Sequence, residues 1–287
     1  MDILCEPQPL VNYHCRVGEN PLWDNLRQSI LWTDIPAGRL YEYNVLTRQH
    51  RRIYCGEPVG GFTLQDDDSL LLFQVNKFSR LLPNGTVQTL AEGIDPDMKR
   101  FNDVIADPEG RVYARTIGQD DRKGGLYRIG LDGSVTCLFK GTGCANGMGF
   151  SPNHEYFYWT CSTTRTIFRF RYEQATGNLS HREVLLTVPG DRGTPDGMTV
   201  DSDGCIWSAR WGGSAVYWYS PAGEELGRVR LPVPEVSAVT FGGETLHDLY
   251  ITTAGGQEDS DTPEGTLYRV STVSLGRLEY RSRVMME

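Results

Sequence analysis

Asp107-Pro108-Glu109-Gly110-Arg111-Val112-Tyr113, followed shortly by Gly125-Leu126-Tyr127-Arg128, is the clearest copy of a phrase that this chain writes six times. A turn rich in Asp, Pro and Gly leads into an aliphatic or aromatic pair, and a second run then begins near Leu, Tyr and Arg. Upstream, Asp68-Ser69-Leu70-Leu71-Leu72-Phe73 leads to Pro83-Asn84-Gly85, and Ser29-Ile30-Leu31-Trp32 leads to Arg39-Leu40-Tyr41. Downstream, Ser151-Pro152-Asn153 precedes Phe157-Tyr158-Trp159 and Ile167-Phe168-Arg169. The last two copies are Asp201-Ser202-Asp203-Gly204-Cys205-Ile206-Trp207, and Asp248-Leu249-Tyr250-Ile251 with Gly265-Thr266-Leu267-Tyr268-Arg269. Anchored on Leu31, Leu71, Val112, Phe157, Ile206 and Leu249, the copies are 40, 41, 45, 49 and 43 residues apart. Repeats of this length, built of strands and turns, are the signature of propeller blades. The expected fold is all-β, a six-bladed β-propeller. The expected organisation is one domain over residues 1–287, because a blade cannot bury its faces alone.

The strands between these anchors are legible in places. Val216-Tyr217-Trp218-Tyr219 runs into the turn Ser220-Pro221-Ala222-Gly223, and Phe168 to Tyr172 alternates with period two. No window carries sustained helical periodicity with caps, so little helix is expected. Segments rich in small residues, such as Pro58–Thr63, Asn146–Phe150, Asp196–Val200 and Val236–Phe241, suit inner strands crowded around an axis. The N-terminal strand is expected to close the ring in the last blade.

Composition excludes several function classes. The net charge of −9 leaves no basic face for nucleic acid phosphates. No stretch approaches the ~18 apolar residues of a membrane span, and Met1–Pro7 has neither the basic nor the apolar region of a secretory signal. The seven cysteines (Cys5, Cys15, Cys55, Cys137, Cys144, Cys161 and Cys205) are odd in number and irregularly spaced, with no Cys-x-x-Cys pair. That pattern suits free thiols in a reducing, cytoplasmic compartment, with several acting as core fillers.

One polar residue recurs at the entrance to the inner-strand segments: Glu19, Asn102 beside Asp103, Asn146, and Asp196. Equivalent positions on different blades meet around one channel mouth. Two carboxylates and two amide oxygens converging there would make an all-oxygen site for one divalent cation, with calcium, zinc, manganese, magnesium and iron all open. Each residue also has an ordinary reading, since Asn146-Gly147 and Asp196-Gly197 are common turn formers and Glu19 suits a loop.

The same segments carry a resemblance. Gly18-Glu19-Asn20-Pro21-Leu22-Trp23, Trp32-Thr33-Asp34-Ile35, Arg100-Phe101-Asn102-Asp103, Asn146-Gly147 with Ser151-Pro152, Pro195-Asp196-Gly197-Met198 and Phe241-Gly242-Gly243 occur in order. From about Cys15 to about Ala254 the chain resembles the family of regucalcin (senescence marker protein), gluconolactonases and luciferin-regenerating enzyme. The resemblance implies a six-bladed propeller and a metal-dependent hydrolase of sugar lactones. It implies Glu19, Asn146 and Asp196 as metal ligands, Asn102 as a further ligand or substrate contact, and Arg100 and Asp103 in the substrate pocket.

Departures from the family pattern bear on the substrate. Cys161 stands where members often carry Asp, and Arg115-Thr116-Ile117 stands where sugar lactonases frequently have Gly-Thr-Met. Gln119 falls near an acidic substrate contact of regucalcin. Cys161 has no His near it in sequence and is expected to pack rather than react. Arg115, placed by this reading in a loop over the site, would favour a substrate bearing a carboxylate, a phosphate or an electron-rich ring; the ordinary alternative is that it points outward into solvent. In the expected chemistry Asp196 is the general base and the metal activates water against the lactone carbonyl. The competing readings are the same site acting on another ester, a phosphotriester or an aromatic lactone, and a propeller that binds a metal or ligand without catalysis. A serine triad has no support, for there is no Gly-x-Ser-x-Gly elbow and His14, His50, His154, His181 and His247 are scattered.

Overall fold

The computed structural model describes residues 5–119, 124–258 and 260–286. Over these described residues it is a six-bladed β-propeller of 24 strands in six four-stranded antiparallel sheets. β1 (Gln8–Asn12) precedes the first blade, which holds β2 (Gly18–Asp24), β3 (Ser29–Asp34), β4 (Arg39–Asn44) and β5 (His50–Cys55). The second blade holds β6 (Gly61–Leu64), β7 (Leu70–Phe73), β8 (Lys77–Leu81) and β9 (Val87–Glu92). The third has β10 (Met98–Ala106), β11 (Val112–Gly118), β12 (Gly124–Ile129) and β13 (Val135–Thr142). The fourth has β14 (Ala145–Phe150), β15 (Tyr156–Cys161), β16 (Thr166–Glu173) and β17 (Asn178–Thr187). The fifth has β18 (Thr194–Val200), β19 (Ile206–Trp211), β20 (Ala215–Tyr219) and β21 (Glu225–Arg230). The sixth has β22 (Val236–Gly242), β23 (Asp248–Thr253) and β24 (Thr266–Ser271), completed at its outer edge by β1. Among the described residues the one helical element is a 3-10 turn at Gly190–Arg192, and no helix is long and apolar enough to cross a membrane.

All six sequence anchors lie in the second strand of their blade, and the ring closes as expected, with Gln8 opposite Arg269 and Asn12 opposite Thr266. The core is divided among the seams between neighbouring blades. Leu31 and Leu40 of the first blade pack with Phe62 and Leu72 of the second. Phe73 meets Phe101 and Tyr127 at the next seam, and Tyr113 and Leu126 meet Phe157 and Trp159 at the third. Tyr158 meets Met198, Trp207 meets Phe241, and Tyr250 meets Trp23. Each blade is thus apolar on both faces and buries them only inside the ring, which is why the repeat count dictates the architecture.

The inner strands approach so closely that small residues are required. A Cβ on Gly147 would lie 2.5 Å from the Met198 nitrogen, and one on Gly197 would lie 2.5 Å from the Ala238 Cβ.

Beyond β24 the chain crosses the C-terminal ends of the inner strands. The Ser202 N–H donates to the Leu275 carbonyl (2.8 Å) and Arg277 donates to the Phe150 carbonyl (3.1 Å). Arg281 pairs with Asp24 (2.9 Å), the Ser282 N–H donates to the Leu64 carbonyl (2.8 Å), and the Arg283 N–H donates to the Gly110 carbonyl (2.8 Å). This strap leaves the sixth blade and ties down the other five.

Candidate active site

The inner strands share a local irregularity that builds the site. Pairing slips between Glu19 and Leu22, between Phe101 and Val104, between Ala145 and Met148, and between Pro195 and Met198. These are bulges, which insert a residue and re-aim a side chain. Glu19, Asn102, Asn146 and Asp196 sit at these slips, one per blade. The residues that follow them are Asn20, Asp103, Gly147 and Gly197. Asn20 (φ 48°) and Asp103 (φ 62°) occupy the left-handed region, which Asn and Asp tolerate better than other side chains.

The four side chains, each less than a tenth exposed, meet with Arg100 at one cavity of about 430 Å3. A chain of hydrogen bonds fixes the amides. Arg100 Nη1 donates to Asn102 Oδ1 (2.7 Å), Asn102 Nδ2 to Asn146 Oδ1 (2.7 Å), Asn146 Nδ2 to Ser162 Oγ (2.8 Å), and Ser162 Oγ to the Pro195 carbonyl (2.7 Å). It links three blades and leaves little freedom to either amide. The carboxylates are less well served. Among the described residues Glu19 Oε2 accepts only the Asn20 N–H (3.1 Å), and Asp196 Oδ1 is buried with no hydrogen-bond partner.

Burial, followed by the charges of Glu19, Asp103 and Glu235, pushes the Asp196 carboxyl well above the usual range. Burial and then Asp103 push Glu19 up to about 8. Asp103 rises to about 7, chiefly by burial, with Arg115 opposing. Arg100, itself depressed by burial, is the one cation on the cavity wall among the described residues, so the carboxyls have little positive charge to favour their ionised forms. Among the described residues no group of three or more His, Cys, Asp or Glu is placed to hold a metal. Here two carboxylates are joined by amide oxygens instead.

The remaining expected residues stand elsewhere. Asp103 faces a smaller space of about 30 Å3 deeper in the channel, with Asn20, Thr240 and Glu279. Gln119 is exposed just after β11, its N–H donating to the Asp97 carbonyl (3.2 Å), and it does not line the cavity. Residues 120–123 beyond it lie outside the described part.

Arg115 corrects its expectation most sharply. It lies within β11 rather than in a loop, is 0% exposed, and is not part of the cavity wall. Its guanidinium lies 4.1 Å from the Trp159 ring, none of its nitrogens donates a hydrogen bond among the described residues, and burial pulls it down to about 9. The reason is that β11 runs on to Gly118, so Arg115 points into the seam between the third and fourth blades. Cys161 packs in that same seam with Trp159 and Phe170.

Sequence reasoning missed the rest of the wall: Val17, Ile117, Cys144, Ser162, Thr163, Thr194 and Trp211. Only Trp211, before the Gly212-Gly213 turn, carried a signal that could have been followed.

Residues 17–255 match the family described as "SMP-30/Gluconolactonase/LRE-like region". The chain belongs to this family. It is 41% identical to the pentonolactonase XacC of Haloferax volcanii over 286 residues, covering 96% of this chain and 98% of that one. It is 31% identical to regucalcin of Macaca fascicularis over 264 residues, 88% of this chain and 87% of that one. A crystal structure of a regucalcin from Agrobacterium tumefaciens, described as calcium-binding, superimposes with a TM-score of 0.89 at 24% identity, covering 96% of this chain and 97% of that one. The resemblance read from the motifs is thereby confirmed, and the propeller is shared with that structure.

Proposed function

We propose that residues 1–287 act as one unit, a metal-dependent lactonase that opens a neutral sugar lactone to its hydroxy acid. The observation that carries this reading is the buried Asp196 Oδ1, unpartnered among the described residues, beside Glu19 in a cavity whose described wall has two carboxyls and one cation. Buried like charges without a counter-ion are costly, and a divalent cation is the simplest counter-ion for such a set. The donors are all oxygens, which suits a hard cation. Glu19, Asn146 and Asp196 would hold it. Asn102 stands beside them, its amide oxygen engaged by Arg100. Bound there, a divalent cation would polarise the lactone carbonyl and lower the pKa of a water ligand toward ~7.

The chain's own residues account for the remaining steps. Asp196 takes a proton from the attacking water as the new C–O bond forms. It returns that proton to the ring oxygen as the ring C–O bond breaks, which opens the lactone. Arg100 and Asn102, locked by the amide chain, present a guanidinium and an amide to the substrate hydroxyls. Preorganised donors of this kind lose little entropy on binding. The 41% identical relative carries the name pentonolactonase, which supports a sugar lactone as substrate. Aldonolactones are themselves uncharged, and among the described residues the wall offers no cation besides Arg100 to favour an anionic competitor. The buried Arg115 removes the feature that pointed to anionic or phosphotriester substrates. Seven cysteines without a disulfide support a reducing, cytoplasmic setting.

The test is a panel of neutral aldonolactones followed with a pH indicator, with chelator and with each divalent cation restored. Turnover that chelator abolishes and one cation restores is the expected result, and no opening of any lactone under any cation would overturn the proposal. Asp196→Asn should lose about 10²–10⁴-fold in kcat and bind the cation more weakly. Near-normal turnover by that variant with cation bound would remove Asp196 from its role.

A further inference from the structure

Six tryptophans occur in the chain, and five of them are buried in the blade seams: Trp23, Trp32, Trp159, Trp207 and Trp218 are at most 6% exposed. Trp211 is the exception. It ends β19, pairs in register with Thr194, and forms part of the cavity wall beside Thr194 and Asp196. Its neighbour Arg210 is fully buried and bonded to Tyr219 Oη (2.7 Å) on the opposite side of the strand. Alternation therefore delivers the indole to the cavity. Its N–H has no hydrogen-bond partner among the described residues. An apolar aromatic face left half-open beside buried carboxylates is a poor choice for stability, and it is well matched to one kind of ligand. A sugar ring carries hydroxyls on its edge and C–H bonds on its face, and the C–H hydrogens favour the negative face of an aromatic π system.

We propose that Trp211 is the platform on which the substrate ring lies, making it a specificity-determining residue for a neutral, ring-closed sugar derivative. This rests on the lactonase reading above. The indole stacks against the C–H face, its N–H is free for a ring hydroxyl, and Arg100 and Asn102 take hydroxyls on the edge. Such contact is made equally with the substrate and the transition state, so its loss appears in KM rather than kcat.

The experiment has two arms. In the first, wild type, Trp211→Phe and Trp211→Ala are compared on a neutral five-carbon aldono-1,4-lactone. Trp211→Ala should raise KM about ten-fold with kcat changed less than about three-fold, the loss expected for one face of a large side chain. Trp211→Phe, which keeps the face, should recover most of the deficit. An unchanged KM in Trp211→Ala, or a fall confined to kcat, overturns the proposal. In the second arm a 1,4-anhydropentitol, which has the ring and hydroxyls but no carbonyl to hydrolyse, is titrated while tryptophan fluorescence is read. Its binding should perturb the emission of wild type and not that of Trp211→Phe, because the other five indoles lie away from the cavity. Equal perturbation in both proteins overturns the proposal. Should the wild type open no lactone, the lactonase reading fails, and the second arm still decides the role of Trp211.

Discussion

Replacing Glu19 with Gln should stabilise the cation-free protein, and the gain should grow with pH. Glu19 is 8% exposed, and burial with the nearby Asp103 pushes its carboxyl to about 8 from the ordinary 4.5. A carboxyl raised in this way keeps its proton in the folded state after the unfolded chain has released it. Its contribution to stability is therefore fully present below about pH 4.5 and is lost as pH rises through about 8. The gap of 8 − 4.5, at about 1.4 kcal/mol per pH unit, sets a ceiling of about 4–5 kcal/mol lost across that window. Glu19→Gln has no proton to release, so its slope should be shallower by about 1 kcal/mol per pH unit. Its charge also contributes to the raised Asp196 carboxyl, so the variant should flatten the Asp196 contribution as well. The assay is urea unfolding with chelator present at pH 5, 6, 7 and 8, wild type against variant. A saturating divalent cation should remove most of the wild-type slope, because binding holds the carboxylates ionised in the folded state. Parallel stability curves for the two chelated proteins would refute the reasoning, for they would show that Glu19 titrates alike in the folded and unfolded chains.

Two further outcomes follow from other residues. Arg115→Met should raise stability by about 1–2 kcal/mol, because it replaces a buried guanidinium without hydrogen bonds by an apolar side chain that still covers Trp159. It should leave the ratio of kcat/KM between an anionic and a neutral lactone unchanged within about two-fold, and a shifted ratio in paired kinetics would return Arg115 to the site. Arg281→Ala should cost about 2–3 kcal/mol in urea unfolding, because it strips a partner from Asp24, whose side chain is 0% exposed. It should not alter KM, and an unchanged unfolding midpoint would show that the strap carries no closing load.

The fold is legible because its turns are chemically obligatory. Asp107 Oδ1 accepts the N–H groups of Glu109 and Arg111, and Asp201 Oδ1 accepts those of Asp203 and Cys205. Each turn then closes on a glycine in the left-handed region, Gly110 and Gly204, both at φ 83°. The Asp-x-x-Gly spelling is thus the turn itself, written where an inner strand hands over to the second. β8 (Lys77–Leu81) has no such marker and follows Gln74-Val75-Asn76, so it is invisible until the second blade is seen whole.

The site is legible only in part, for a physical reason. Glu19-Asn20, Asn102-Asp103, Asn146-Gly147 and Asp196-Gly197 can be read as a series because each doublet serves one bulge, whose second residue must suit an unusual backbone or a crowded axis. Arg115 and Trp211 cannot be read in that way. In an isolated sheet with one wet face, alternation separates inside from outside. In this ring both faces of a blade are covered by its neighbours, so the same alternation only says which seam a side chain enters. Arg115 shares a face with Tyr113 and enters the seam filled by Trp159, whereas Trp211 lies far enough along β19 to clear the seam and reach the cavity. The difference between a buried arginine and a cavity-wall tryptophan is thus a matter of position along the strand. That position acquires meaning only when the ring closes and the strand ends become a shared rim.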